Sequence, residues 1–588
     1  MEIDSATSQR IDRWLNGKFD ESLKNSIREL QLTNPSLLRD SFYTDLTFGT
    51  GGLRGIMGLG TNRVNIYTIR RASLGLANYI KKHASANPAK VAIGFDSRHQ
   101  SPLFATETAR VLAAAGIESF LFTEIRPTPF ISFACRELNC NAAVMITASH
   151  NPAEYNGYKV YWSDGGQVVF PHDKGIIEEV LSIQSYDDIP ISDESDPLIH
   201  KLTQELDLKY ISAIRHLQNL PSRNKEKGKF LKIIYSSLHG AGIHLVPPSL
   251  RDWGFTDIEL VPKQCIPDGS FPTLAYPNPE YREALSLGID LLQRAKADIF
   301  FATDPDADRL GVVILHKGSP VLLNGNEIAS ICSWYLCNQL KEKKTLSPNH
   351  AIITTIVSTE LIAKICAQFH IQFVQVLTGF KYIGEKIHDW ETLSEGPKFL
   401  FGAEESYGYL VGTQSRDKDA VASSCLIAEI ALFAKEKNKT LLDLLHDIYA
   451  QCGIFKEAQY SIDFPAGKEG MEKQKQLMIH LRNYPLQNLL NAKLKTSEDY
   501  LTKKRKNHFT QLEESINLPT SDVLSYRFDD DSKVVIRPSG TEPKLKMYVG
   551  ISLEVDAFSD LNAQITIAEK KLHGIMEILK KYLEKTSE

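Results

Sequence analysis

Short, β-rich apolar runs alternate with helical patterns along most of this chain, and that alternation limits the folds open to it. VAIGF (91–95), SFLFT (119–123) and AAVMIT (142–147) are separated by segments of helical periodicity, one of them near 102–115. Strands of this length with helices between them make βαβ units. Runs that are apolar throughout fit the interior of a mostly parallel sheet covered on both faces. The texture returns in FLKIIYSS (230–237) and ADIFFATD (297–304). It returns again from Asn324, where a helix through Trp334 leads to AIITTIVS (351–358), FVQVL (373–377) and KFLFG (398–402). Before it, Ile11, Trp14, Leu15, Leu23, Ile27 and Leu30 recur at helical spacing. After it come a basic stretch read as helical over 468–506, the strands KVVIRPSG (533–540) and KLKMYVGIS (544–552), and a terminal helix. That helix carries the apolar stripe Leu561, Ile565, Ala568, Leu572, Ile575, Leu579 and Leu583.

At 588 residues the chain is too long for one core. The expected fold is α/β: three consecutive α/β units with mixed, mostly parallel sheets, plus a C-terminal α+β domain. The boundaries fall at 1–40 (helical extension), 41–205, 206–322 and 323–455 (α/β), and 456–588 (α+β). The 67 basic and 72 acidic side chains leave a formal charge of −5, which argues against a nucleic-acid partner. The run KKRK (503–506) is then a solvated segment. Eight cysteines without a CxxC pair read as reduced thiols. The N-terminus lacks the basic-then-apolar order of a signal peptide, and no run of about 18 apolar residues offers a membrane span. A cytoplasmic enzyme with no membrane partner is expected.

Four loops carry chemistry. DPDADR (304–309) lies between two apolar strands, and alternate residues of an extended loop project to one side, so Asp304, Asp306 and Asp308 converge. Three carboxylates repel unless a cation sits among them, and hard oxygen ligands suit Mg²⁺. A calcium EF-hand needs Gly and Glu where this loop has Arg309 and Leu315. TASHNP (147–152) leaves the carboxyl end of a strand, where open α/β sheets bind ligands. Ser149 there lacks the G-x-S-x-G elbow of an esterase, and a phosphorylated serine served by a metal fits better. RPSGTEPK (537–544) offers the Arg537 fork, the hydroxyls of Ser539 and Thr541, and a close approach at Gly540, as a phosphate cradle would; the bland alternative is an Arg-Pro turn. In GAEESYGY (402–409), Glu404 and Ser406 are placed to bond sugar hydroxyls, or else mark an acidic helix N-terminus. GTGGLRGIMGLG (49–60) does not match a dinucleotide fingerprint, and Arg54 is its notable member.

TASHNPxxxNGYK, DPDADR, GAEESYGY and RPSGTEP, in this order, resemble the α-D-phosphohexomutase superfamily, and with RDKDAV they resemble its bacterial phosphoglucomutase branch and the related animal phosphoglucomutase/phosphopentomutase type. The resemblance covers about residues 40–552. It implies four domains around a central cleft, each contributing one loop. By motif, Ser149 is similar to the phosphoserine, and Asp304, Asp306 and Asp308, with the phosphate on Ser149, to the ligands of one Mg²⁺. Arg54, His150 and Lys159 would surround the transferring phosphoryl group. Lys159 is the candidate general acid/base, and it would work best with its pKa lowered by nearby cations. Arg309, Glu404, Ser406, Lys418, Arg537, Ser539, Gly540 and Thr541 would contact substrate. The resemblance further implies interconversion of glucose 1-phosphate and glucose 6-phosphate through a sugar 1,6-bisphosphate, which also serves as activator. Mannose and pentose phosphates, and a bisphosphate synthase on the same scaffold, are the alternatives. Phosphomannomutase-type members carry a His at the end of the sugar loop where this chain has Gly408. Small sugar phosphates are the expected partners, and the chain is expected as a monomer or weak homodimer.

Overall fold

The structure, a computed structural model, describes residues 4–49, 51–83, 88–465, 468–539, 544–556 and 558–587. Its compact units cut across chain order. One joins 1–324 to 380–438, and the other joins 325–379 to 439–588.

In the first unit, helices Ser5–Asn16, Glu21–Thr33 and Pro35–Phe42 bury Trp14, Phe19, Ile27, Leu38 and Phe42 against Tyr67. A six-stranded sheet follows, in the spatial order Gly52–Ile56, Tyr155–Trp162, Ala142–Ile146, Lys90–Phe95, Glu118–Phe122, Ile199–Leu202. The last four of these run parallel and the first two antiparallel. Val91, Ile93, Val144 and Ile146 are fully buried, as strands covered on both faces must be. A five-stranded sheet has the order Ser319–Leu323, Leu310–His316, Ile299–Thr303, Ile233–Ser236, Ile258–Leu260, again parallel at one side and antiparallel at the other. The antiparallel pair Lys398–Glu404 and Gly408–Val411 completes the strands of this unit. Helix Ala420–Lys435 is buried at every position from Ala420 to Ala434, so it has no solvent-facing side over that span. Asp419 caps it, accepting from the Ala422 N–H.

The second unit holds the parallel pair His350–Thr355 and Gln372–Val376, with helices Gly325–Glu342, Leu361–Phe369 and Leu441–Cys452. Its eight-stranded sheet places Ile454–Asp463 at one end and Glu513–Ser515 at the other. The mixed α/β architecture expected from the strand–helix alternation is present. The long basic helix is not. Helix Lys468–Asn483 stops, and Ala492–Asp499 and Lys504–Asn507 pair as antiparallel strands. Basic side chains are compatible with either state, and pairing with Leu524–Phe528 decides for strand. KKRK accordingly lies on and beside a solvated strand. All eight cysteines are free thiols. Among the described residues no helix is long and apolar enough to cross a membrane.

Candidate active site

The serine loop leaves the carboxyl end of strand Ala142–Ile146 and turns back into Tyr155–Trp162. Ser149 makes the turn in the left-handed region, at φ +52°, a conformation that costs a non-glycine residue about 1–2 kcal/mol. The residue is 3% exposed. Ser149 Oγ donates to Asp304 Oδ2 at 2.8 Å and lies 3.2 Å from His150 Nδ1. Two loops 155 residues apart in sequence therefore meet at the serine oxygen.

The aspartates converge, though not as an extended loop would bring them together. Residues 304–309 form a turn, with Ala307 left-handed at φ +50° and its N–H donating to the Asp304 carbonyl at 2.9 Å. One oxygen from each of Asp304, Asp306 and Asp308 lies within 4.8 Å of the others, and all three residues are buried. Asp304 Oδ1 accepts from the N–H groups of Asp308 and Arg309. Thr128 Oγ1 donates to Asp306 Oδ2 at 2.7 Å. Asp306 Oδ1 and Asp308 Oδ1 are buried with no hydrogen-bond partner among the described residues. Buried anionic oxygens without donors are costly, and the donor set is all hard oxygen, so the trio fits a small divalent cation. Burial, then the charges of Asp306 and Asp308, push the Asp304 carboxyl well above its usual range. Burial also raises Asp308, but Lys159, Lys418 and Arg309 outweigh it and hold that carboxyl far below.

Lysines frame the trio. Lys159 Nζ donates to Asp306 at 2.8 Å and Asp308 at 3.0 Å, and Lys418 Nζ lies 3.1 Å from Asp308. The expectation that cations lower the Lys159 pKa is overturned. Burial lowers it, but Asp306 and Asp308 more than compensate, and the net shift is upward. Lys418 is raised for the same reason, with Asp308 and Asp417 opposing its burial. Arg309 donates to Glu280 and stands 4.0 Å from Asp308. Arg54, on strand Gly52–Ile56 beside the Lys159 strand, donates to Asn151 of the serine loop at 2.9 Å.

The sugar loop is a hairpin tip rather than a helix N-terminus. Glu404 ends one strand, Ser406 lies in the turn, and Gly408 begins the next. The Tyr407 carbonyl accepts from Leu310 N–H at 3.0 Å, tying this tip to the end of the aspartate loop. Gly408 is needed by its neighbour: a Cβ there would lie 2.1 Å from Lys418 Cδ. The stem of Lys418 fills the space a side chain at 408 would require. Arg537 belongs to the other unit. It is the penultimate residue of strand Lys533–Pro538 and donates to the Tyr548 hydroxyl at 3.0 Å, while Ser539 N–H donates to the Lys544 carbonyl. Gly540 and Thr541 lie outside the described residues.

Several participants were not singled out from sequence: Asp96, Arg98, Thr128, Thr147, Glu280 and Asp417. Asp96 and Arg98 had a signal, because FDSR leaves the carboxyl end of the buried strand Lys90–Phe95. Thr128 and Glu280 had none.

Residues 45–187, 209–317, 324–452 and 489–568 match the models of phosphoglucomutase/phosphomannomutase α/β/α domains I, II and III and of the C-terminal domain, respectively. A phosphoglucomutase of Staphylococcus haemolyticus is 37% identical over 557 residues, covering 94% of this chain and 98% of that protein. Among solved structures, the pp63/parafusin phosphoglucomutase of Paramecium in its open form aligns with a TM-score of 0.64 at 17% identity, over 92% of this chain and 95% of that one. A phosphoglucomutase/phosphomannomutase family protein of Burkholderia thailandensis aligns with a TM-score of 0.62 at 18% identity, over 90% and 97%.

Proposed function

The chain belongs to the phosphoglucomutase/phosphomannomutase family of the α-D-phosphohexomutase superfamily, and from that premise we propose that it interconverts α-D-glucose 1-phosphate and glucose 6-phosphate with Ser149 as the phosphoryl carrier. The observation that carries this reading is Ser149 Oγ, 2.8 Å from Asp304 in a buried acidic centre whose Asp306 and Asp308 retain oxygens without donors. The staphylococcal relative's activity favours glucose phosphates over mannose or pentose phosphates.

In the forward half-reaction the Ser149 phosphate ester breaks at its P–Oγ bond as the free sugar hydroxyl oxygen bonds phosphorus. The hydroxyl yields its proton and the serine oxygen takes one up. Lys159, as the ammonium its two carboxylates favour, gives a proton to the serine oxygen, and His150, as a neutral imidazole beside Oγ, takes the hydroxyl proton. The resulting 1,6-bisphosphate reverses its orientation, and its other phosphate returns to Ser149 by the same chemistry. Asp304, Asp306 and Asp308 would hold one Mg²⁺, which offsets the charge developing on the transferring oxygens. Lys418 and Arg309 add positive charge, and Arg54 steadies Asn151. Glu404 and Ser406 take sugar hydroxyls. Arg537 and Ser539, with Gly540 and Thr541, take the phosphate that is not reacting, since a guanidinium grips the anion whichever carbon bears it. The enzyme acts in the cytoplasm, as a monomer or weak homodimer, with catalytic bisphosphate as activator.

The test is conversion of glucose 1-phosphate, with Mg²⁺ and a trace of glucose 1,6-bisphosphate, compared with mannose and ribose 1-phosphates. Glucose is expected to have the highest kcat/KM, with intact mass locating one phosphate on Ser149. Absence of glucose 6-phosphate, or full turnover by Ser149→Ala, refutes the assignment.

A further inference from the structure

One side chain takes four backbone carbonyls of the loop that presents Ser149. Arg98 is 1% exposed, and its guanidinium faces backbone carbonyls. Nη2 donates to Ser149 and Asn151, each at 2.5 Å, and Nη1 to Pro152 at 2.7 Å and Tyr155 at 3.0 Å. Four carbonyls between residues 149 and 155 thus converge on one planar fork. A loop that turns through a left-handed serine cannot satisfy them with a strand ladder, and buried carbonyls require donors.

The fork is fixed in turn. Asp96, fully buried, lies 3.3 Å from Arg98 Nε and accepts the Arg98 N–H. Asp96 Oδ2 also accepts from Thr147 Oγ1 at 2.6 Å, and Thr147 Oγ1 accepts the Ser149 N–H at 2.8 Å. Both backbone ends of the serine, its N–H through Thr147 and its carbonyl directly, therefore lead to the same buried ion pair. On the opposite side the Phe271 ring centre lies 5.0 Å from Arg98 Cζ, and His99 bonds Ser270 at 2.8 Å. Gly269 makes that approach possible, since a Cβ there would lie 2.4 Å from His99 N.

We propose that Arg98 is a positioning residue: with Asp96 and Thr147 it clamps the backbone of residues 149–155 so that Ser149 Oγ keeps its line to Asp304 in both the phosphorylated and the bare enzyme. This rests on the reading of Ser149 as phosphoryl carrier. The physical need is specific to a carrier. The side chain gains and loses a dianion in every cycle, and the pull of that charge on the cations around it would displace an untethered loop. In-line transfer does not tolerate such displacement, and an error of about 1 Å costs on the order of 100-fold in rate.

The experiment compares Arg98→Lys, Arg98→Ala and the near-isosteric Thr147→Val with wild type, and follows kcat, KM, melting temperature and the decay of the Ser149 phosphate in water. Arg98→Lys keeps the charge and loses the fork. Its kcat is expected to fall about 100-fold with KM within about threefold. Thr147→Val should lose about tenfold in kcat. Guanidinium ion added at non-denaturing concentration should restore part of the Arg98→Ala activity. Phosphate loss to water, relative to transfer to sugar, should rise in all three. Wild-type kcat in Arg98→Lys overturns the clamp. So do kcat losses that merely track the folded fraction, with unchanged partitioning to water in Thr147→Val and Arg98→Lys. Arg98→Ala is not needed for the decision if it fails to fold. A Ser149→Ala protein that still turns over overturns the carrier assignment itself, whereas a dead Ser149→Ala beside a fully active Arg98→Lys removes the clamp alone.

Discussion

Each unit of the molecule contains a cluster of acids and bases drawn from distant parts of the chain, and the two clusters are completed differently. In the second unit Glu360 accepts from Lys533 at 2.7 Å and Arg527 at 2.9 Å on a single oxygen. Burial raises its carboxyl, but the two cations prevail and bring it down to about 2. In the first unit three carboxylates share Lys159, Lys418 and the more distant Arg309, and two of their oxygens still lack donors. The Glu360 cluster is closed: its single carboxylate is met by two cations, and it braces the fold. The aspartate cluster is open and retains like-charge repulsion that a bound cation relieves. Buried charge alone does not mark a site. Buried charge left incomplete does.

Substitutions should separate the two clusters. Ser149→Ala removes the covalent carrier and should lower kcat by about 10⁴-fold or more, the scale at which loss of a nucleophile registers. Its melting temperature should stay near that of wild type. Asp304→Asn should lower kcat by about 100–1,000-fold, and EDTA should have a similar effect on the wild type, reversed by Mg²⁺. In metal-free buffer the same substitution should raise the melting temperature by relieving repulsion, and the stabilisation that Mg²⁺ gives the wild type should shrink. A lower melting temperature in metal-free Asp304→Asn would show that the aspartate cluster is closed after all. Gly408→Ala pushes a methyl group into the Lys418 stem, and about tenfold in kcat is expected as that cation shifts from Asp308. Unchanged kinetics would mean that Lys418 has no part in the centre.

Glu360→Gln should reverse this pattern, with activity within about twofold and a stability loss of about 1–3 kcal/mol, because two cations lose their anion. The pH dependence has a definite sign. The folded Glu360 pKa of about 2 lies below its ordinary 4.5, so its contribution is fully present above about pH 4.5 and fades as pH falls toward 2. Urea melts at pH 6 and pH 3 should show wild type and Glu360→Gln converging at the lower pH. A constant gap between them would refute the linkage.

Much of the fold could be read from periodicity. The strands Lys90–Phe95, Ala142–Ile146 and His350–Thr355 lie in buried runs whose apolar length has one economical reading. The segment 484–506 could not be read that way, because lysine-rich stretches bury little and take their state from a neighbouring strand. At the site, the three aspartates and Ser149 were legible because each sits in a short motif at the end of a buried strand. Arg98 was harder to find. Its role depends on four carbonyls, and carbonyls carry no letter in a sequence. Glu280 and Thr128 were invisible because each acts on a residue 29 and 178 positions away, respectively.

Local order therefore determined the elements, the turns and the residue types assembled at their ends. Tertiary structure alone decided which acids would be matched by cations and which would be left open, and it reversed the expected shift of Lys159. The reason is distance. Hydrogen bonds and Coulomb energies change steeply over an ångström or two between groups more than a hundred residues apart, whereas periodicity and turn chemistry depend only on neighbours in the chain.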